Sequence, residues 1–225
     1  MHSVVKTIPA IEAAFSTAGS NRYLVGVGYQ LSDKVSVGAS YLSKLGMNFK
    51  DGLVKVVDDT YVRSDQTIED PSRVSMGISI DWDIFKLNTD VHLSNWSDTT
   101  MQDQGWKDGT MVCVGGEYFV KPEVLSLCFG YNYSTDVVSE GSNISFENAF
   151  YNTIISPSVL NQELTAGISY KVNKSIGLDF AVSQFFGESF KQSGTTTLGE
   201  NELSFENKVE SDSFLTVSTA ISYLF

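Results

Sequence analysis

The last fifteen residues, Ser211 to Phe225, read SDSFLTVSTAISYLF. Leu215, Val217, Thr219, Ile221, Tyr223 and Phe225 share one side of an extended chain, and Thr216, Ser218, Ala220 and Ser222 share the other, with Leu224 as the exception. Side chains of a strand point alternately to its two faces, so this segment reads as a strand with one apolar face and one small or polar face. Upstream the same pattern returns. Tyr23, Val25, Val27 and Tyr29 alternate with Leu24, Gly26, Gly28 and Gln30, and Val74, Met76, Ile78, Ile80 and Trp82 alternate with Ser75, Gly77, Ser79 and Asp81. Segments 35–41, 125–133, 164–171 and 176–183 repeat it, while 86–98 and 109–120 follow it less cleanly. Helical periodicity is nowhere the better template, and nine strands are expected.

The connections also alternate. LSDK (31–34), WDIFK (82–86), VKPE (120–123) and KVNK (171–174) are short, and long polar segments occupy roughly 44–71, 97–108, 134–159 and 189–211. Short turns at one end and long loops at the other describe an outer-membrane β-barrel, with turns in the periplasm and loops outside. A soluble sandwich or lipocalin-like barrel would alternate too, with its apolar face inward. Three features favour the membrane. Strand segments reach the ten or so residues that a tilted strand needs to cross a bilayer. Aromatic residues gather at both ends of the apolar face, with Tyr29, Trp82, Tyr170 and Tyr223 near the turns and Tyr23, Tyr41 and Tyr133 near the loops, as in two interfacial girdles. The Gly, Ser and Ala face makes a poor core but a good lumen. The fold expected is therefore all-β, an antiparallel transmembrane barrel of about nine or ten strands.

Composition excludes other classes. Lys plus Arg number 15 against 27 Asp plus Glu, giving a net charge of −12, so no nucleic acid partner is expected. Two cysteines exclude a disulfide-dense scaffold, and no paired-cysteine motif indicates zinc. No apolar run is long enough for a transmembrane helix. Met1 to Ser20 lacks a basic region followed by an apolar one and is not read as a secretory signal.

Several segments resemble the FadL/TodX type of outer-membrane transporter for long-chain fatty acids and aromatic hydrocarbons. They are LVGVGYQLSDKVSVGASYLSKLGMNFKDG (24–52), Leu93-Ser94-Asn95-Trp96-Ser97, GWKDGTMVCVGGEYFVKPEVLSLCFGYNYSTDVV (105–138) and LTAGISYKVNKSIGLDFAVSQFF (164–186), in the family's order. The resemblance implies a barrel of fourteen strands plugged by an N-terminal hatch, of which this chain matches the C-terminal part. The expected domain is a single partial barrel over residues 1–225, with 1–20 a poorly defined N-terminal segment; Val4–Phe15 could supply a tenth strand, which Pro9 disfavours. The implied function is passive transport of hydrophobic compounds through the lumen without cofactor. Implied partners are outer-membrane lipid and lipopolysaccharide, the barrel-assembly machinery, which in this class reads a C-terminal aromatic strand such as Tyr223 to Phe225, and a hydrophobic small molecule. The alternatives are a non-specific porin, or a barrel remnant serving as a surface or structural protein.

No enzymatic constellation assembles. His92 shares strand parity with Asp90 and Ser94, but residues two apart on a strand stand about 6–7 Å apart, too far for direct hydrogen bonding; a polar lumen row is the expected role. No catalytic residue and no metal site is assigned. Acidic residues fall largely in the long loops, among them Asp58, Asp59, Glu69, Asp70, Glu202, Glu206 and Glu210, which suits solvated loops or cation-bridged contact with lipopolysaccharide phosphates. Cys113 and Cys128 flank the Lys121-Pro122 turn on one face. A turn centred between Val120 and Lys121 would set them opposite and permit a disulfide; one centred later would leave two lumen-facing thiols. Trp96, Phe185 and Phe214 are large apolar residues on the otherwise polar face, and with Met111 they are the ligand-lining candidates. No binding motif of the family occurs here, so none of these roles comes from the resemblance.

Overall fold

A computed structural model describes residues 20–57, 60–138, 140–141, 144–150, 152, 160–198, 201–210 and 213–223. Among the described residues thirteen strands follow one another: β1 (Leu24–Ser32), β2 (Val35–Leu42), β3 (Leu45–Val57), β4 (Thr60–Asp70), β5 (Ser72–Trp82), β6 (Phe85–Asn95), β7 (Gly109–Lys121), β8 (Leu125–Ser134), β9 (Leu160–Lys171), β10 (Ile176–Gly187), β11 (Phe190–Leu198), β12 (Asn201–Val209) and β13 (Phe214–Tyr223). A short helix, α1 (Phe146–Phe150), lies between β8 and β9. Nine strands form one antiparallel sheet in the order β1-β2-β5-β6-β7-β8-β9-β10-β13, and they are the nine the alternation predicts. The proposed tenth strand at Val4–Phe15 lies outside the described residues.

Two long segments read as polar loops are themselves strands. β3 pairs with β4 and β11 with β12, each pair a separate two-stranded sheet. Their backbones satisfy each other, but neither hairpin has a continuous apolar face. In β11–β12, Thr195 opposes Ser204, Thr197 opposes Glu202, and Lys191 reaches Glu206 at 3.3 Å. Period-two patterning signals a continuous buried face rather than strandedness, so a strand whose apolar residues are interrupted by polar ones gives little such signal.

The turns close tightly for local reasons. Asp83 adopts a positive φ of 21° and Glu123 one of 61°, and the turn at 122–124 closes with Val124 N–H donating to the Lys121 carbonyl at 3.0 Å. At the last turn Asn173 Oδ1 accepts from the N–H groups of Ser175 and Ile176 at 2.8 and 3.0 Å, the local bonding that suits asparagine to turns.

The direct pairing registers separate two faces. On one stand Val27, Val37, Ile78, Val91, Val114, Phe129, Ile168, Phe180 and Val217; on the other stand Gly28, Gly38, Gly77, Asp90, Gly115, Gly130, Gly167, Ala181 and Ser218. The apolar face is uncovered: Ile78 is 40% exposed, Phe129 49% and Ile168 46%, in central strands. A soluble sandwich would bury them, so the apolar face is the one for lipid. All seven tyrosine and tryptophan residues of the two predicted girdles are exposed. Near the turns Trp82, Phe85 and Phe129 stack in series at 6.0 and 5.9 Å, with the Phe129 ring covering Gly116, where an added Cβ would come within 2.2 Å of it.

The two faces should respond oppositely to charge. Ile78→Lys places an ammonium on the lipid face and should cost about 2–4 kcal/mol of folding stability in lipid vesicles, whereas Ser79→Lys should cost less than about 1 kcal/mol. Urea titration of the refolded chain, followed by tryptophan fluorescence, measures both; equal costs would mean that neither face contacts lipid.

Candidate functional site

The small-residue face forms a trough of about 740 Å³ over β1, β2, β5 and β6. Its floor is glycine, because Gly28, Gly38 and Gly77 oppose one another across three strands. At Gly77 the absence of a side chain is required as the carboxylate stands, since a Cβ there would lie 2.1 Å from Asp90 Oδ1. The polar row of β6 is tied sideways rather than along its strand. His92 Nδ1 and Ser75 Oγ share a hydrogen bond of 2.7 Å, and Asp90 leans over Gly77. No relay from Asp90 through His92 to Ser94 is formed. Further round the sheet Asn132 donates to Glu163 Oε2 at 2.8 Å.

The four ligand-lining candidates separate into three places. Phe185 and Phe214 oppose each other directly across β10 and β13, and their rings stack at 4.6 Å with an interplanar angle of 15°. They make an apolar patch on the inner face, with Glu163 opposite Phe185 on the other side. Met111 also faces inward, opposite His92 and Ser134, but stands three strands away from Phe185. Trp96 is not on the inner wall: β6 ends at Asn95, and Trp96 opens a 3-10 turn (Trp96–Asp98). There it packs on Trp106 with ring centroids 4.6 Å apart.

This packing belongs to a loop-end cap that sequence reading missed. Met101, Trp106, Val138 and Phe190 are buried together, with Trp96, Val137 and Val209 against them. They come from the β6–β7 and β8–β9 connections and the β11–β12 hairpin. A buried polar group locks the three: Trp106 Nε1 donates to Asn152 Oδ1 at 2.9 Å, and Asn152 Nδ2 donates to the Gln104 carbonyl at 2.8 Å and lies 3.4 Å from Gln192 Oε1. Asn152 and Gln192 are 0% and 1% exposed, and buried polar groups demand such partners. Nearby, Arg22 pairs with Asp70 and donates to the carbonyls of Ser43 and Pro71 at 2.7 and 2.6 Å. Lys44 lies 3.4 Å from Glu69 and 3.7 Å from Asp98. The only hint in the sequence was two tryptophans ten residues apart in a polar segment, which does not say what they pack against.

Cys113 and Cys128 share the inner face but do not meet. Cys113 opposes Asn132 and Cys128 opposes Glu117, because the turn sits two residues beyond the placement that would oppose them. The resulting offset of four residues is about 13 Å, well beyond the roughly 7 Å Cα limit for a disulfide, and both thiols are free. Tyr223 ends β13 on the lipid face opposite Ile176 and is exposed; Phe225 lies outside the described residues.

The family of outer membrane protein transport proteins (OMPP1/FadL/TodX) has a sequence model that matches residues 14–225. The chain belongs to this family. Its members are outer-membrane proteins of Gram-negative bacteria. Among solved structures, the chain is similar to the Pseudomonas putida toluene transporter TodX, at 17% identity and a TM-score of 0.55, covering 90% of this chain and 48% of that one. It is similar to the Ralstonia pickettii toluene transporter TbuX at 16% identity and 0.53, covering 90% and 47%. Against a Pseudomonas aeruginosa FadL homologue the values are 13% and 0.64, covering 89% and 51%. These likenesses show the fold, and the chain spans about half the length of the structures it matches. No curated protein matches the sequence.

Two outcomes are expected of this end of the molecule. Asn152→Leu leaves Trp106 Nε1 buried without an acceptor and should loosen the cap by about 1–3 kcal/mol, read as faster proteolysis within 96–108. Under oxidising, non-reducing conditions mass spectrometry after thiol alkylation should show two labels per denatured chain, where a disulfide would show none.

Proposed function

We propose that the chain forms the ligand-conducting wall of an outer-membrane channel for hydrophobic compounds, which move through its lumen by diffusion without energy input or cofactor. The stacked Phe185–Phe214 pair carries this reading: two aromatic rings face inward together on a wall made mostly of glycine, serine, alanine and polar residues. Apolar side chains turned away from lipid mark either packing or a path for apolar solute. Family membership supports the same reading, and the relatives described as toluene transporters make monoaromatic hydrocarbons the first ligands to test. The chain would sit among outer-membrane lipid and lipopolysaccharide, delivered by the barrel-assembly machinery through its C-terminal strand.

The test begins with the refolded chain in detergent, compared heated and unheated on a gel. A heat-shifted, protease-resistant band is expected. Binding of the fluorescent aromatic 1-aminoanthracene, displaced by toluene, should then weaken about tenfold or more in Phe185→Ala/Phe214→Ala, because each ring contributes about 1.5–3 kcal/mol when covered. Unchanged displacement would overturn the assignment of these rings. Free passage of sugars through reconstituted vesicles would instead describe a porin, and no heat shift with rapid proteolysis would remove the transport reading from this chain.

A further inference from the structure

Direct cross-strand pairs run in one line over the inner face. Asp90 opposes Cys113, Cys113 opposes Asn132, Asn132 opposes Glu163, Glu163 opposes Phe185, and Phe185 opposes Phe214. The row changes character where β9 meets β10, passing from a carboxylate to a pair of stacked rings. Residues directly opposite on one face of an antiparallel pair hold their Cβ atoms about 4.5–5.5 Å apart. The Glu163 carboxylate and the Phe185 ring are therefore neighbours.

Both halves of this junction are held in place. Asn132 Nδ2 donates to Glu163 Oε2 at 2.8 Å, which leaves Oε1 without a hydrogen-bond partner among the described residues. Gln184 Nε2 donates to the carbonyls of Phe185 and Phe214 at 3.1 and 3.3 Å, tying the ends of β10 and β13 together behind the two rings. Glu163 and Phe185 are half-buried and Phe214 is 43% exposed, so ring surface and carboxylate are both reachable from the inner side.

The charge of the row gives this junction a direction. Among the described residues no lysine or arginine lies within ion-pair distance of Glu163 or of Asp90. The row is thus anionic with no cation of its own, in a chain of net charge −12. A carboxylate accepts hydrogen bonds and attracts positive charge, and an aromatic face attracts a cation as readily as it packs on another ring. A hard metal ion takes about six oxygen ligands, whereas this place offers one carboxylate beside two rings. The cation that fits is organic.

We propose that Glu163 and the Phe185–Phe214 pair form one site for a monoaromatic amine, its ring packed on the phenylalanines and its ammonium donating to Glu163 Oε1. The inference rests on the hydrophobic-transport reading and narrows it, giving the inner wall a preference for cationic over neutral aromatics of the same size.

The experiment uses the refolded full chain in nanodiscs of zwitterionic lipid at about pH 7, where alkylamines are protonated. Benzylamine and benzyl alcohol, alike in size but one charged and one neutral, are each titrated against bound 1-aminoanthracene. Benzylamine should displace the probe at a concentration at least about tenfold lower, the worth of one charge-assisted hydrogen bond. Glu163→Gln keeps an oxygen for Asn132, removes the charge, and should bring the ratio of the two close to one. Glu117→Gln removes the same charge at the turn end of the inner face and should leave the ratio as it was. A like fall in both variants means that overall charge sets the preference, and the assignment to Glu163 is then wrong. If Glu163→Gln weakens amine and alcohol alike and keeps their ratio, the carboxylate serves the wall alone and the proposal fails. Equal displacement by amine and alcohol in the unaltered chain, with toluene still active, overturns the proposal and leaves the transport reading intact; no displacement by any of the three overturns both.

Discussion

A strand in hydrocarbon has nowhere to hide a backbone amide. Each N–H and C=O must bond to a neighbouring strand, because lipid offers no partner and an unmet group costs several kcal/mol. That constraint organises this molecule. It forces the nine long strands into one continuous antiparallel ladder, and it frees the side chains from any duty to form a core. The outward set can then be wholly apolar, and the inward set can shrink to glycine and serine, which would be ruinous in a soluble protein. Burial in the ordinary sense is concentrated in the loop-end cap around Trp106, where water is present and the usual rules return.

The same division explains what could be read from the amino-acid order. The nine sheet strands were legible because lipid on one side and lumen on the other impose opposite chemistry on alternate residues, as in Val74 to Trp82. β3, β4, β11 and β12 were not, since their apolar residues are interrupted by polar ones on the same face, as where Gln192 stands between Phe190 and Gly194, and give no continuous alternation. The inward aromatic pair was legible for a related reason: Phe185 and Phe214 break the polar parity of their strands. Trp96 also broke it, but parity carries no information past the end of a strand, and β6 stops one residue earlier. For the two cysteines the sequence left pairing and free thiols both open, and register decides for free thiols, because a shift of turn centre by two residues moves partners by four.

The cap changes how the loop end should be pictured. Asn152 and Gln192 sit at the meeting of three connections that are distant in sequence, and their hydrogen bonds act as a shared fastening. The ion pairs of Arg22 and Lys44 fasten the β3–β4 hairpin to the same end.

The number of strands in the sheet sets a rule for what can complete the wall. Nine strands alternating in direction bring β1 and β13 to the same heading, so a seam made by joining them directly would be a parallel ladder with slanted bonds. A second copy inserted with the same heading meets the identical mismatch at both of its edges. Only an odd number of intervening strands restores up-and-down order all the way round, giving the even total typical of bacterial barrels. The fourteen strands that the family resemblance implies would leave five, which is odd. Whatever flanks this sheet in the membrane is thus constrained by arithmetic of direction before any side chain is considered.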